Sequence, residues 1–322
     1  MTTITMLEWV QEDLKRVEQK MREGATAHHE QLGAVLDYLL SGGGKRLRPA
    51  LVLIVTRFGS PDYEKAIALA AAVEMLHTAT LVHDDVVDNS LVRRGNPTLN
   101  ATWSQGATVL MGDYLFARAA NLAAETENVR IISIFSDTLT VICSGELEQI
   151  FGRVGCAPTL DEYHRRIYAK TASLFAAGAE TGAILSRLPE SQVQAVRDYG
   201  HYLGMAFQII DDVLDFAGDQ ARLGKPVAND LRHGIITLPV ILFLENQPCH
   251  PGVERILAHD TLDEAEIMGV VDEINASGAV NAAVDEARRF AARASEALAV
   301  LPDHQSRRAL LDLAQFVVDR SV

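Results

Sequence analysis

At 322 residues and 48% hydrophobic content, the chain is long enough for one large domain with a substantial core. Its 29 Lys and Arg stand against 43 Asp and Glu, a net charge of −14. That balance excludes the basic stripe of a nucleic-acid binder and obliges any anionic ligand to find local cations.

The pattern is helical nearly throughout, since apolar residues recur at three and four and alternating strand patterns are scarce. Aromatics make up only 6%, which suits close-packed helices. Breaks are expected at 41–49, 59–62, 93–97, 155–159, 218–226 and 246–252, where Gly and Pro cluster. None has linker composition, so the expectation is a single all-α domain over 1–322, with about ten to thirteen helices. The N-terminal stretch carries acids early and lacks a long apolar run, unlike a signal peptide. The turn Gly42–Pro49, GGGKRLRP, then places Lys45, Arg46 and Arg48 ahead of a helix. Leu69, Val73, Leu76 and Thr80 lead into Asp84, Asp85 and Asp88, followed by Arg93 and Arg94. Thr159 with Asp161 and Glu162 marks a helix start, and Lys170 and Thr171 follow. Leu203, Phe207, Ile210 and Leu214 carry Asp211, Asp212 and Asp215, and Lys225 comes shortly after. The segment 253–322 reads as amphipathic helices packed outside. Cys143, Cys156 and Cys249 have no metal-ligand spacing and read as reduced thiols of a cytoplasmic protein.

The most informative feature is the repeated Asp-Asp-x-x-Asp pentad. Helix positions four apart share a face, so Asp84 aligns with Asp88 and Asp211 with Asp215. Carboxylates crowded among Val, Ile and Leu repel one another and are costly to desolvate. Two such pentads point to hard cations held between two facing helices. Oxygen-only ligands favour Mg²⁺, which keeps several waters and bridges protein to phosphate. His77, seven residues before Asp84, and Gln208, three before Asp211, fall on similar faces. Alone, the first is ordinarily a core histidine, and the second is as readily a core glutamine as a ligand.

The chain resembles the polyprenyl synthetase family, the trans-prenyl diphosphate synthases. The resemblance rests on GGGKRLRPAL, EMLHTATLVHDDVVDNSLVRRGNPT, MGDYLFARA, SGELEQ, YAKTASLF, GMAFQIIDDVLDF, GKPVANDLRHG and TLP, in order over about residues 40 to 245. It implies an isoprenoid synthase type I fold, a helical bundle around a central cavity. It also implies head-to-tail condensation of an allylic diphosphate with isopentenyl diphosphate, with two or three Mg²⁺ ions bound alongside the substrate. Asp84 and Asp88 would hold metal from one side and Asp211 from the other. Asp85, Asp212 and Asp215 would serve as ligand or outer shell, with Asp215 counted among the metal-holding residues. Arg93, Lys170, Thr171, Gln208 and Lys225 would hold the allylic diphosphate, with Lys170 also counted as catalytic. Lys45, Arg48, His77 and Arg94 would hold isopentenyl diphosphate. A homodimer is the family expectation, with the product passing to a membrane.

Two departures stand out: Ala228 replaces a glycine, and Ile235 a lysine that commonly touches the allylic diphosphate. Some catalytic subunits of two-component long-chain synthases lack the same lysine, so a heteromeric partner subunit is a second expectation. Ala79 and Thr80, just before the first pentad, are small where short-chain members often carry an aromatic floor. Leu76, Ala123 and Phe135 are deeper candidates for setting chain length, the last two as the positions that end the tunnel in a resembling subgroup, and a hexaprenyl-to-decaprenyl product is favoured. The rivals are a farnesyl or geranylgeranyl diphosphate synthase, a class I terpene cyclase and a non-catalytic subunit. The cyclase lacks a second-substrate site like GGGKRLRP, and regulatory subunits usually lose aspartates that this chain keeps.

Overall fold

The computed structural model of the chain describes residues 4–23, 30–151, 156–217, 227–258, 260 and 262–320. Eleven α-helices of ten residues or more, with several shorter ones, make up nearly all regular structure among these residues. The exceptions are a two-stranded ribbon, Val92–Arg93 against Asn96–Pro97, a π turn and a 3₁₀ turn. The chain splits into two compact units.

The first unit comprises Met1–Thr138, Leu174–Arg197 and Leu298–Asp312. Its centre is the helix Tyr63–Val87, started by Asp62, whose carboxylate accepts from the Glu64 and Lys65 N–H groups. This helix is long and apolar enough to cross a membrane, but most of its apolar stretch is buried inside the unit. It is therefore read as a core helix, apolar on all sides. Its alanines at 66, 68, 70, 71, 72 and 79 are buried. Small side chains there let Gln11–Arg22, Leu47–Thr56 and Gln105–Ala124 pack closely around it. Gly112 lies where any Cβ would overlap the His83 ring, so the glycine of MGDYLF is a packing requirement. In the ribbon, Arg93 pairs with Asn96 and the turn residues Arg94 and Gly95 have φ of 51° and 78°. Positive φ at both central residues is what a tight hairpin turn with right-handed strand twist demands.

The second unit comprises Leu139–Ser173, Asp198–Ala297 and Leu313–Val322. Thr159 starts the helix Leu160–Ile167 with a capping box: its hydroxyl accepts from the Glu162 N–H, and Glu162 accepts from the Thr159 N–H. The helix runs into a π turn, Tyr168–Ala172. A Cβ at Gly145 would overlap that of Ala169, so this glycine allows the turn to sit against the neighbouring helix. Ala279–Ala297 packs on Leu238–Asn246 with Ala283, Ala287, Phe290 and Ala294 buried, the amphipathic arrangement expected of the C-terminal segment.

Candidate active site

In the first unit the pentad occupies the C-terminal end of Tyr63–Val87, and Asp88 is the capping residue. Carboxylates are disfavoured at this end, where the helix dipole is negative, so compensating cations are needed. The three acids are not equivalent. Asp85 is 7% exposed and accepts from Arg93 Nε at 2.8 Å, while Asp84 is half-buried and Asp88 exposed. Asp85 is thus directed inward onto Arg93, and Asp84 and Asp88 form the solvent-reachable pair.

The basic residues expected around this pentad come together through the ribbon and the glycine-rich turn. Arg94 donates to the Gly43 carbonyl, and its guanidinium lies over Gly44, where a Cβ would crowd it. Gly43, at φ 75°, has the conformation that only glycine adopts cheaply. Arg46 plays a different part, donating to Glu74 at 2.7 Å, to Glu18 at 3.1 Å and to the Leu40 carbonyl at 2.7 Å. It neutralises the buried Glu74 and anchors the turn to the core helix. Arg48 stacks over the Phe175 ring at 4.6 Å, and Lys45 is exposed. Burial, then the fields of Arg48, Arg94, Arg93 and Arg46, hold the His77 imidazole well below its usual 6.5. His77 is therefore a neutral N–H donor beside arginines, suited to a diphosphate oxygen.

In the second unit the other pentad lies near the end of Glu190–Ala217. Asp212 is 4% exposed; Tyr163 Oη donates to its Oδ2 at 2.7 Å and Gln208 Nε2 to its Oδ1 at 2.8 Å. Thr171 Oγ1 in turn donates to Gln208 Oε1 at 2.6 Å. Burial pushes the Asp212 carboxyl up to about 7, against the lowering effect of these two donors. Asp215 accepts the Asn229 and Asp230 N–H groups at 3.1 and 3.0 Å, and its carbonyl accepts from Ala228 N–H at 2.7 Å. Asp215 is thereby directed at the start of the short helix Asn229–Arg232. Asp211 is 40% exposed and pairs with Arg320 at 3.2 Å. Lys170, on the π turn, pairs with Glu146 at 3.1 Å. π turns within helices are frequent at functional sites, and this one carries both Lys170 and Thr171. Lys225 lies outside the described residues.

Several participants are absent from the sequence expectations: Arg320, Tyr163 and Glu146. Glu146 lies in SGELEQ, a recognised stretch to which no role attached. Tyr163 and Arg320 carry no local signal. Among the described residues, no three His, Cys, Asp or Glu side chains gather into a metal cluster. The donors still fit a hard divalent ion: oxygen-only carboxylates, Asp84 with Asp88 in the first unit and Asp211 in the second, which leave coordination positions to water and phosphate. Of the chain-length candidates, Ala79 and Ala123 are fully buried, while Thr80 and Phe135 are half-buried.

Solvent-reachable carboxylates, arginines and a neutral histidine on an all-helical scaffold are the parts that an enzyme acting on diphosphate esters would need. A sequence model of the family described as polyprenyl synthetase matches residues 29–274. The chain is 38% identical over 315 residues to heptaprenyl diphosphate synthase component 2 of Geobacillus stearothermophilus, covering 98% of each. It superposes with TM-score 0.91 on the crystal structure of a decaprenyl diphosphate synthase from Rhodobacter capsulatus, at 39% identity and 99% coverage of both. A polyprenyl synthase from Caulobacter crescentus, solved with calcium and isoprenyl diphosphate, gives TM-score 0.93 at 36% identity over 100% of this chain and 98% of that one. The chain belongs to the polyprenyl synthetase family. It is a prenyltransferase of isoprenoid biosynthesis, with the all-α isoprenoid synthase fold. The family condenses isopentenyl diphosphate with an allylic diphosphate and uses divalent metal to bind diphosphate.

Proposed function

We propose that the protein extends an allylic diphosphate with isopentenyl diphosphate, head to tail, to an all-trans product between hexaprenyl and decaprenyl. The carrying observation is the division of labour within the first pentad. Asp85 is spent on Arg93, while Asp84 and Asp88 face solvent at a helix end that calls for cations. Asp84, Asp88 and Asp211 are the residues that would hold Mg²⁺, with Asp85, Asp212 and Asp215 orienting them and the short helix Asn229–Arg232. Bound Mg²⁺ would supply electrostatic stabilisation of the departing diphosphate. Lys170, Arg93 and Lys225 neutralise that group from the protein side, and Gln208 and Thr171 orient it. Lys45, Arg48, Arg94 and neutral His77 hold isopentenyl diphosphate. No side chain is assigned as base; the departing diphosphate takes the proton.

The long-chain reading is supported by small Ala79 and Ala123, by a Phe135 not fully buried in the core, and by the heptaprenyl and decaprenyl relatives. Burying a methylene stabilises by about 0.8 kcal/mol, so a tail with apolar room gains from each added unit until something blocks it. Exposed Leu110, Val129 and Ile132 support a homodimer. A heteromeric partner is the second reading, favoured by Ile235 and by similarity to a chain named component 2. Three exposed free cysteines fit a reducing, cytoplasmic setting.

Incubating the purified chain with isopentenyl diphosphate, allylic primers of several lengths and Mg²⁺, then resolving products by chromatography, tests the proposal. Products of thirty to fifty carbons are expected; farnesyl or geranylgeranyl diphosphate as the end product would overturn the chain-length assignment. Turnover by this chain alone would exclude an obligatory partner. Asp84→Ala or Asp211→Ala should abolish turnover with helical content unchanged, and normal activity in either would overturn the metal assignment.

A further inference from the structure

The hydrogen bonds around Asp212 form a closed circuit with the chain. Tyr163 and Thr171 belong to one continuous segment, the capped helix Leu160–Ile167 and the π turn after it. Asp212 and Gln208 are neighbours on another helix. Tyr163 O–H donates to Asp212 at 2.7 Å, Gln208 N–H to the other oxygen at 2.8 Å, and Thr171 O–H to the Gln208 carbonyl at 2.6 Å. Tyr163 is fully buried, and Thr171 nearly so. The phenol is held well above its usual 10, first by burial and then by Asp212, so it remains an O–H donor.

This circuit determines which way the Gln208 amide points. With both Asp212 oxygens served by donors, the amide must turn its NH₂ to the carboxylate and its carbonyl to Thr171. Its second N–H is then the group it offers to an anion. With the amide reversed, its carbonyl would oppose the Asp212 carboxylate and its NH₂ would turn to Thr171, so the outward N–H would be lost. We propose that Tyr163 is a positioning residue for the allylic diphosphate: by holding the second oxygen of Asp212, it fixes Gln208 with an N–H outward and locks the π turn that carries Lys170 and Thr171. Tyr163 itself touches no substrate. This inference rests on the prenyltransferase reading above.

The test compares Tyr163→Phe, which keeps the ring and removes only the hydroxyl, with the wild-type chain. Affinity for geranyl S-thiolodiphosphate, an unreactive allylic analogue, is measured by calorimetry with Mg²⁺, alongside KM for both substrates. One lost hydrogen bond to a charged group corresponds to roughly a tenfold effect. The analogue's Kd and the allylic KM should rise by about that factor, with the isopentenyl diphosphate KM within about twofold. The double variant Tyr163→Phe with Gln208→Ala should bind the analogue no worse than Gln208→Ala alone. Wild-type affinity in Tyr163→Phe, additive losses in the double variant, or equal rises in both KM values would each overturn the proposal. Asp212→Asn, which keeps shape but removes the demand for two donors, serves if Tyr163→Phe does not fold, with the same allylic-selective loss expected and its absence equally decisive. If the wild-type chain makes no polyprenyl product, the functional reading fails; if it does and Tyr163→Phe matches it, only the role of Tyr163 fails.

Discussion

Asp212→Asn should abolish a pH dependence of stability that the buried carboxyl imposes on the metal-free protein. The folded group titrates at about 7, against an ordinary 3.8. The folded state therefore binds this proton more tightly than the unfolded one. The stabilisation is fully present below pH 3.8 and is lost as pH rises through 7. At 1.36 kcal/mol per pH unit, the interval from pH 5 to pH 8 removes about 2.5 kcal/mol. The amide that replaces the carboxyl does not titrate, so the stability offset from its altered hydrogen bonds to Tyr163 and Gln208 is the same at every pH. Urea unfolding of both proteins in EDTA at pH 5, 6, 7 and 8 gives the comparison. The wild-type chain should lose stability relative to the variant progressively, with most of the loss complete by pH 7. A difference between the two that stays flat across the series would refute the reasoning, because it would mean that the carboxylate is ionised throughout.

Other expectations follow from single contacts. Arg46→Met leaves Glu74 buried without its partner and should destabilise by about 3 kcal/mol in urea unfolding. Gly112→Val forces a side chain into the His83 ring, an overpacking effect of about 1–3 kcal/mol that a thermal melt would register. Arg93→Ala removes the counter-charge of Asp85 and should lower allylic affinity together with stability, the latter by about 2 kcal/mol, read by calorimetry and urea unfolding. Phe135→Ala should lengthen the product by at least one isoprene unit on chromatography; an unchanged product would clear Phe135 of the floor role.

Helix positions and the pentads were legible because their signals are local. A period of three and four, a Thr-x-x-Glu capping box and carboxylates four apart can all be read within a dozen residues. Ala228 was visible as a departure from glycine, and the structure gives the departure physical content: its φ is 52°, in the left-handed region where glycine is easier. Contacts made across long stretches of chain left no such trace. Arg320 reaches Asp211 from the far end of the sequence, and Tyr163 meets Asp212 across 49 positions. The π turn at Tyr168–Ala172 was illegible for another reason: it shares the composition of an ordinary helix and differs only in which carbonyl each N–H finds.

The pentads show where spacing stops being informative. Adjacent helix positions lie about 100° apart, so Asp84 and Asp85 must face different directions, as must Asp211 and Asp212. Periodicity establishes the two faces but does not say what waits on the buried one. In the first unit it is a guanidinium, Arg93, which offsets the charge of Asp85. In the second, both hydrogen bonds to Asp212 come from neutral donors, Tyr163 and Gln208. Neutral donors satisfy the oxygens without cancelling the charge, so burial dominates and the carboxyl rises toward 7. Two pentads of one Asp-Asp-x-x-Asp pattern thus have chemically different inner acids. One is an ion pair that ties the ribbon to the core helix, and the other a hydrogen-bond hub whose geometry depends on a phenol and an amide. Damage to the first should act through charge and stability, whereas damage to the second should act through orientation.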